Sequence, residues 1–286
     1  MKKLFTILCL VFLSSYSYSE ETSLDQLYYE NGIYYKDDSP TPFTGVVVNY
    51  YENGQLEFRE NYKDGKKDGP IEWFYENGQL EIRGNYKDGE LHGLHEEYYE
   101  NGQLEFKGNF KDGKRFGLVE DYYENGQPKM KQNYKDGELD GLSEYFHENG
   151  QLEKRGNFKD GKIEDGLSEY FYENGQLEKR GNSKDGKWDG LYESYYKNGQ
   201  LEKRGNYKDG ELHGLIEEYY EKGQLSGSGN YKDGEQEGLF EFFYENGQFK
   251  GRGNYKDGEP HGFWKFYDEE GNLRETKEWK DGVLQE

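Results

Sequence analysis

Tyr50-Tyr51-Glu52-Asn53-Gly54-Gln55-Leu56 decides how the rest of the chain is read. The heptad returns at Phe74–Leu80, Tyr98–Leu104, Tyr122–Pro128, Phe146–Leu152, Phe171–Leu177, Tyr195–Leu201, Tyr219–Leu225 and Phe243–Phe249. A degraded copy runs Tyr267–Leu273. Asn-Gly is a strong turn signal, because glycine reaches positive φ without steric cost. A second turn signal, aromatic-Lys-Asp-Gly, alternates with it, as at Tyr62–Gly65, Tyr86–Gly89 and Tyr255–Gly258; Ser183 is the one non-aromatic start. The aromatic, alternating runs between these signals read as strand, turn, strand, turn.

Each unit opens on a glycine: Gly45, Gly69, Gly93, Gly117, Gly141, Gly166, Gly190, Gly214, Gly238 and Gly262. The spacing is 24 residues, except for 25 between Gly141 and Gly166. The extra residue lies within Lys162–Asp165, and tolerance of an insertion there marks a loop. A fixed period of this length is the signature of a repeat architecture, in which each unit packs on its neighbours. The fold expected is all-β: an elongated single-layer antiparallel β-meander of about ten 24-residue hairpin repeats.

Turn type sets which side chains share a face. A two-residue Asn-Gly loop pairs Tyr99 with Leu104, whereas a three-residue Glu-Asn-Gly loop pairs Tyr98 with Leu104. The longer loop is expected, because it places Leu94, Tyr98, Leu104 and Phe110 on one face and register follows the hydrophobic pattern. It puts the turn glycines Gly54, Gly78, Gly102, Gly126, Gly150, Gly175, Gly199, Gly223, Gly247 and Gly271 in the left-handed conformation.

This register separates two aromatic rows. Tyr50, Phe74, Tyr98, Tyr122, Phe146, Phe171, Tyr195, Tyr219, Phe243 and Tyr267 are read as structural. Tyr51, Tyr75, Tyr99, Tyr123, Tyr172, Tyr196, Tyr220 and Tyr244 are left over from packing and form the candidate interaction surface, since aromatics are enriched at interfaces. The plainer reading is that they cover cross-strand neighbours on a solvated sheet. A column of glycines (Gly84, Gly108, Gly156, Gly181, Gly205, Gly229, Gly253) is expected to leave room for an aromatic ring to lie flat on the sheet.

Composition agrees with a thin fold. Hydrophobic residues make up 31% and aromatics 17%, and alanine, the best helix former, is absent, so a thick aliphatic or helical core is excluded. The formal charge of −22 repels nucleic acid and anionic membrane surfaces. Low hydrophobicity with high charge also marks disorder, but a disordered chain does not hold aromatics and glycines in register.

Met1-Lys2-Lys3, the apolar run Leu4–Leu13 and the small residues Ser17 and Ser19 read as a signal peptide over residues 1–19. Export is expected, to a secreted, periplasmic or surface location, with no membrane-spanning segment after cleavage. Cys9, the single cysteine, lies in that apolar run, so the mature chain has no thiol. Residues 20–44 look like a shortened capping unit, because Tyr28-Tyr29-Glu30-Asn31-Gly32 repeats the theme before Pro40 and Pro42. The repeat array spans 45–286, and Asp268, Lys277 and Glu278 make its last unit, 262–286, atypical.

The aromatic-Tyr-x-Asn-Gly-Gln-Leu and Tyr-Lys-Asp-Gly-x-x-x-Gly signatures resemble the bacterial variant of the MORN repeat (membrane occupation and recognition nexus) over residues 45 to 282. The resemblance implies β-hairpins stacked into a single-layered sheet, and a scaffolding role. Proteins of this type carry lipid-kinase or YwqK-type antitoxin labels by repeat similarity. No segment here is left over for a kinase domain, and no phosphate-binding loop or kinase motif set occurs.

Catalytic chemistry is not expected. Carboxylate pairs such as Glu96-Glu97 and Glu217-Glu218 recur in most units and read as a solvated face, whereas a glycosidase needs one special pair. His92, His213 and His261 share one repeat position but sit in separate units, and His95 and His147 stand alone, so no metal-ligand spacing exists. Neither a cofactor site nor a metal site is expected. The expected function is an exported, non-enzymatic scaffold for protein or cell-surface partners. The alternatives are a glycan or envelope-ligand module using the tyrosine row, and an immunity or antitoxin-type protein.

Overall fold

The structure is a computed structural model that describes residues 21–285. The expected signal segment, 1–19, lies outside the described residues. The chain divides into two units, one ending at Gly93 and one starting at Leu94.

In the first unit, strands Gly45–Tyr50, Leu56–Lys63, Lys66–Phe74 and Leu80–Lys87 pair in sequence as an antiparallel meander. The segment before them departs from it. Strand Glu21–Ser23 runs parallel to Gly45–Tyr50. Strands Leu27–Glu30 and Ile33–Lys36 form a separate hairpin, closed by Asn31 and Gly32 with φ of 52° and 85°, a two-residue loop. Leu27 and Tyr34 of that hairpin pack on the buried cluster Phe43, Val47, Phe58 and Tyr62.

In the second unit the meander runs from Leu104–Lys111 to Leu273–Lys280. The inserted residue does fall in a break: Lys162–Ile163 pairs briefly, and the strand resumes at Gly166–Phe171. The all-β hairpin meander is therefore the one that the repeats indicate.

The Glu-Asn-Gly loop has three residues. Gly102 N–H donates to Tyr99 O and Tyr99 N–H to Gln103 O, each at 2.8 Å, with Gly102 at φ 83°. Phe146 pairs with Leu152, as that register requires. One step further the ladder slips, because Tyr145 pairs with Lys154 and Glu153 is left as a bulge. A slip of one residue moves everything beyond it to the other face. The expectation that Leu94, Tyr98, Leu104 and Phe110 share a face fails for this reason. In the equivalent repeat, Leu142 and Phe146 lie with Leu152 on one face, while Phe158 lies on the other with Ser143 and Tyr145.

A second bulge sits at the opening glycine. Gln132 pairs with Ser143 but Tyr134 with Leu139, so Asp140, Gly141 and Leu142 bulge against Asn133. Gly141 has φ 116°, and Gly190 has φ 103°. These glycines are fixed by backbone geometry that a Cβ would strain. Asn133 Nδ2 fills the gap by donating to Leu142 O at 3.0 Å.

The two bulges decide what is buried. The buried column is the residue two after the opening glycine: Val47 (0% exposed), Ile71, Val119 (0%), Ile216, Phe240 and Trp264. The leucine one after the glycine is instead exposed, from Leu142 at 40% to Leu167 and Leu215 at 50%. Opposite the buried column stands the glycine column, Ile71 against Gly84, Ile216 against Gly229 and Phe240 against Gly253. A Cβ at Gly229 would collide with the Phe240 ring, one at Gly253 with the Trp264 indole, and one at Gly205 with the end of Ile216. The glycine column thus makes room for rings at Gly229 and Gly253, as expected, but Gly205 makes room for Ile216 and no ring lies over Gly156. Each such burial contributes on the order of 1.5–3 kcal/mol.

Where the column holds a larger residue, its polar atoms are satisfied. Glu60, 4% exposed, accepts from Tyr62 Oη and Trp73 Nε1, both at 2.8 Å, and pairs with Lys67 Nζ at 2.5 Å. Burial first, then the Glu60 charge, pushes the Tyr62 hydroxyl far above its usual range.

Candidate interaction surfaces

The second tyrosine row is bonded from repeat to repeat. Tyr51 Oη donates to Phe74 O at 2.7 Å in the first unit. In the second unit Tyr99 donates to Tyr122 O, Tyr123 to Phe146 O, Tyr172 to Tyr195 O, Tyr196 to Tyr219 O, Tyr220 to Phe243 O and Tyr244 to Tyr267 O, at 2.7–3.0 Å. His147 takes the same place, its Nε2 lying 3.1 Å from Phe171 O. Tyr75 is engaged as well. The premise that this row is left over from packing is corrected: its hydroxyls close the gap between successive hairpins. Burial first, then nearby glutamates, pushes Tyr99, Tyr123, Tyr172 and Tyr196 above the ordinary tyrosine range.

The rest of the heptad serves the same stacking. Asn198 Oδ1 accepts from Gln200 N–H at 2.9 Å, and its Nδ2 donates to Glu221 O of the next loop at 2.8 Å. The Gln200 side chain lies where a Cβ on Gly223 would be. At the opposite edge the Asp-Gly turns have two residues, both at positive φ, as Asp209 (52°) and Gly210 (90°). In several repeats the residue before the opening glycine reaches the next such turn. Asp189 accepts from Asp209 N–H at 3.2 Å and Asp165 from Asp185 N–H at 2.8 Å. His213 and His261 occupy that place too, with Nδ1 3.5 and 3.4 Å from Asp233 and Asp281. The shared position of the histidines is therefore a turn-to-turn contact. Among the described residues no group of histidine, cysteine and carboxylate side chains could hold a metal ion.

One face carries an alternating ladder of charge. Lys131, Glu144 and Arg155 pair across three strands, and Arg180, Glu193 and Arg204 across three more. Glu193 is 3% exposed and accepts from Arg180 Nε at 2.7 Å, Arg204 Nε at 2.9 Å and Tyr195 Oη at 2.9 Å. Burial pushes its carboxyl up, but the three hydrogen bonds outweigh burial and hold it below the usual carboxylate range. The reading of Glu96-Glu97 as wholly solvated is corrected: Glu96 is 6% exposed, 3.6 Å from Lys107, and Glu97 bonds His95 at 2.9 Å. The His95 bond, opposed by burial, lowers the Glu97 carboxyl.

Beside this ladder run the exposed leucines. Leu191, Leu215 and Leu239 each pair with an asparagine (Asn206, Asn230, Asn254) and recur once per repeat. Alternation along the strands puts them on the same face as the ladder. The residues one after the opening glycine were assigned to packing in the sequence, and bulge geometry turns them outward. The two bulges responsible, one at the positive-φ glycine and one beside the Glu-Asn-Gly loop, leave no mark in residue type alone.

A β-hairpin repeat scaffold, stitched by tyrosine and asparagine between successive repeats, is the class of protein that this geometry defines. The chain belongs to the MORN repeat variant family, whose model matches ten stretches from residues 43–64 to residues 260–281. No curated protein matches the chain. No helix among the described residues is long and apolar enough to cross a membrane, a statement that does not bear on β-barrels.

Proposed function

We propose that the protein is an exported, non-enzymatic scaffold that binds protein partners at a cell surface or envelope. The observation that carries this reading is the row of half-exposed leucines at repeat spacing beside charges that are already paired. Apolar side chains framed by satisfied polar groups suit an interface, because little polar desolvation goes uncompensated. The −22 charge favours a basic partner and disfavours nucleic acid. The signal-like N-terminus supports export.

The glycan and antitoxin readings have less support. The tyrosine hydroxyls that a glycan would use are engaged with backbone carbonyls. An exported protein does not meet a cytoplasmic toxin. The test is capture of surface and secreted proteins on the purified protein and on the triple variant L191S/L215S/L239S. A specific partner lost with the triple variant is expected. Equal capture by both, or a partner that depends on the opposite face, overturns the reading.

A further inference from the structure

The buried column is interrupted at one place. Ser143 and Ser168 stand two after their opening glycines, where other repeats carry Val119, Ile216, Phe240 or Trp264. Gly156 lies between them, paired with Ser143 and 3.4 Å, from its would-be Cβ, to Ser168 Oγ. Nothing else comes within 4 Å of that Cβ, whereas rings lie directly over Gly229 and Gly253.

The result is a slot of about 130 Å³ with a Ser-Gly-Ser floor. Across three strands it is roughly 10 Å long. Tyr145, Lys154 and Tyr170 form one wall, cross-strand neighbours in a row. Phe158 and Ile163 form the other, and Ile163 belongs to the break where the inserted residue falls. The wall is held in place: Tyr145 Oη accepts from Gln132 Nε2 at 2.6 Å, and Lys154 Nζ stands 4.3 Å from the Tyr145 ring centroid. Ser143 lines the slot and is buried, with its Oγ unpartnered among the described residues, and Ser168 Oγ is the hydroxyl that stands over Gly156.

We infer that this slot binds a planar aromatic ring with a hydroxyl or N–H at one edge. The protein's own rings demonstrate the seat, since Phe240 and Trp264 lie flat on glycines at the equivalent positions. An apolar cavity of about 150 Å³ holds a benzene molecule, so the size suits one ring. Lys154 puts a cation in the wall beside the ring, and the Ser168 hydroxyl on the floor meets its polar edge. The ring comes either from an aromatic side chain of a protein partner, in which case the inference rests on the proposed scaffold role, or from a free aromatic molecule.

The test is fluorine NMR of 4-fluorophenol with the purified protein. Saturable binding with Kd on the order of millimolar is expected. S168I and S168F, which supply the side chains found at Ile216 and Phe240, should weaken it by about tenfold or more. They should also raise the melting temperature by a few degrees. K154M is a gentler variant, expected to fold and to weaken binding several-fold. L191S, on the other face, should leave binding unchanged, which keeps this test separate from that of the leucine row. A glycine-flanked tyrosine peptide that displaces 4-fluorophenol assigns the ring to a protein partner, and failure to displace assigns it to a free aromatic. No saturable binding to the native protein, or full binding retained by folded S168F, overturns the inference.

Discussion

The hydroxyl of Tyr196 donates to the backbone carbonyl of Tyr219, 2.7 Å away and one repeat further on. The two residues belong to the two aromatic rows, so one row fastens the other. Tyr196→Phe keeps the ring and removes this bond. A part-buried hydrogen bond contributes about 0.5–1.5 kcal/mol, so the variant should lose about that much in urea unfolding. Tyr50, 53% exposed and first in its row, should tolerate Tyr50→Phe with almost no change. Equal losses at the two positions would remove the distinction.

The glycine column makes unequal predictions along its length. Gly229→Ala drives a methyl into the Phe240 ring and should destabilise by about 1–3 kcal/mol. Gly156→Ala meets only Ser168 Oγ, at 3.4 Å, and has no positive φ to strain, so it should be neutral or stabilise by up to about 1 kcal/mol. Parallel denaturation curves of the two variants decide the matter. The opposite order would mean that the ring does not lie on Gly229.

Glu193 predicts a pH dependence. Its native carboxyl lies below the ordinary value, so the native state holds the ionised form more strongly than the unfolded chain does. The stabilisation is complete above the unfolded pKa, near 4.3, and is lost as pH falls through the lower native value. Glu193→Gln should therefore lower stability at neutral pH, by on the order of 1–2 kcal/mol after allowance for the half-exposed arginines. The gap between variant and native protein should close in strong acid. A gap that persists unchanged to low pH contradicts the assignment.

The exposed leucines predict stability without consequence. L191S, L215S and L239S should each shift the melting temperature little, since substitutions away from buried or strained sites stay within about 0.5 kcal/mol. Together they should shorten retention on a hydrophobic-interaction column. A large loss of stability would show that these side chains pack inside the fold.

Repeats, turns and the three-residue loop were legible because glycine, asparagine and aspartate carry conformational preferences in their own chemistry. Gly102 at φ 83° and Asp209 at φ 52° stand where the motifs place them. The face assignment was not legible in the same way. Strand alternation predicts faces only along an unbroken ladder, and each repeat slips twice, once at a residue such as Glu153 and once at a glycine such as Gly141. For this reason Leu142 moved outward, and Ser143, one residue on, marked the buried column.

The sequence alone determined that the chain is a row of β-hairpins and where each turns, since these follow from local backbone preference repeated at a fixed period. Tertiary structure alone decided which side of the sheet each residue faces. It also decided which tyrosines hold the repeats together, and that a slot opens over Gly156. Those depend on how one strand registers against the next, and register is a property of the paired strands that no single heptad contains.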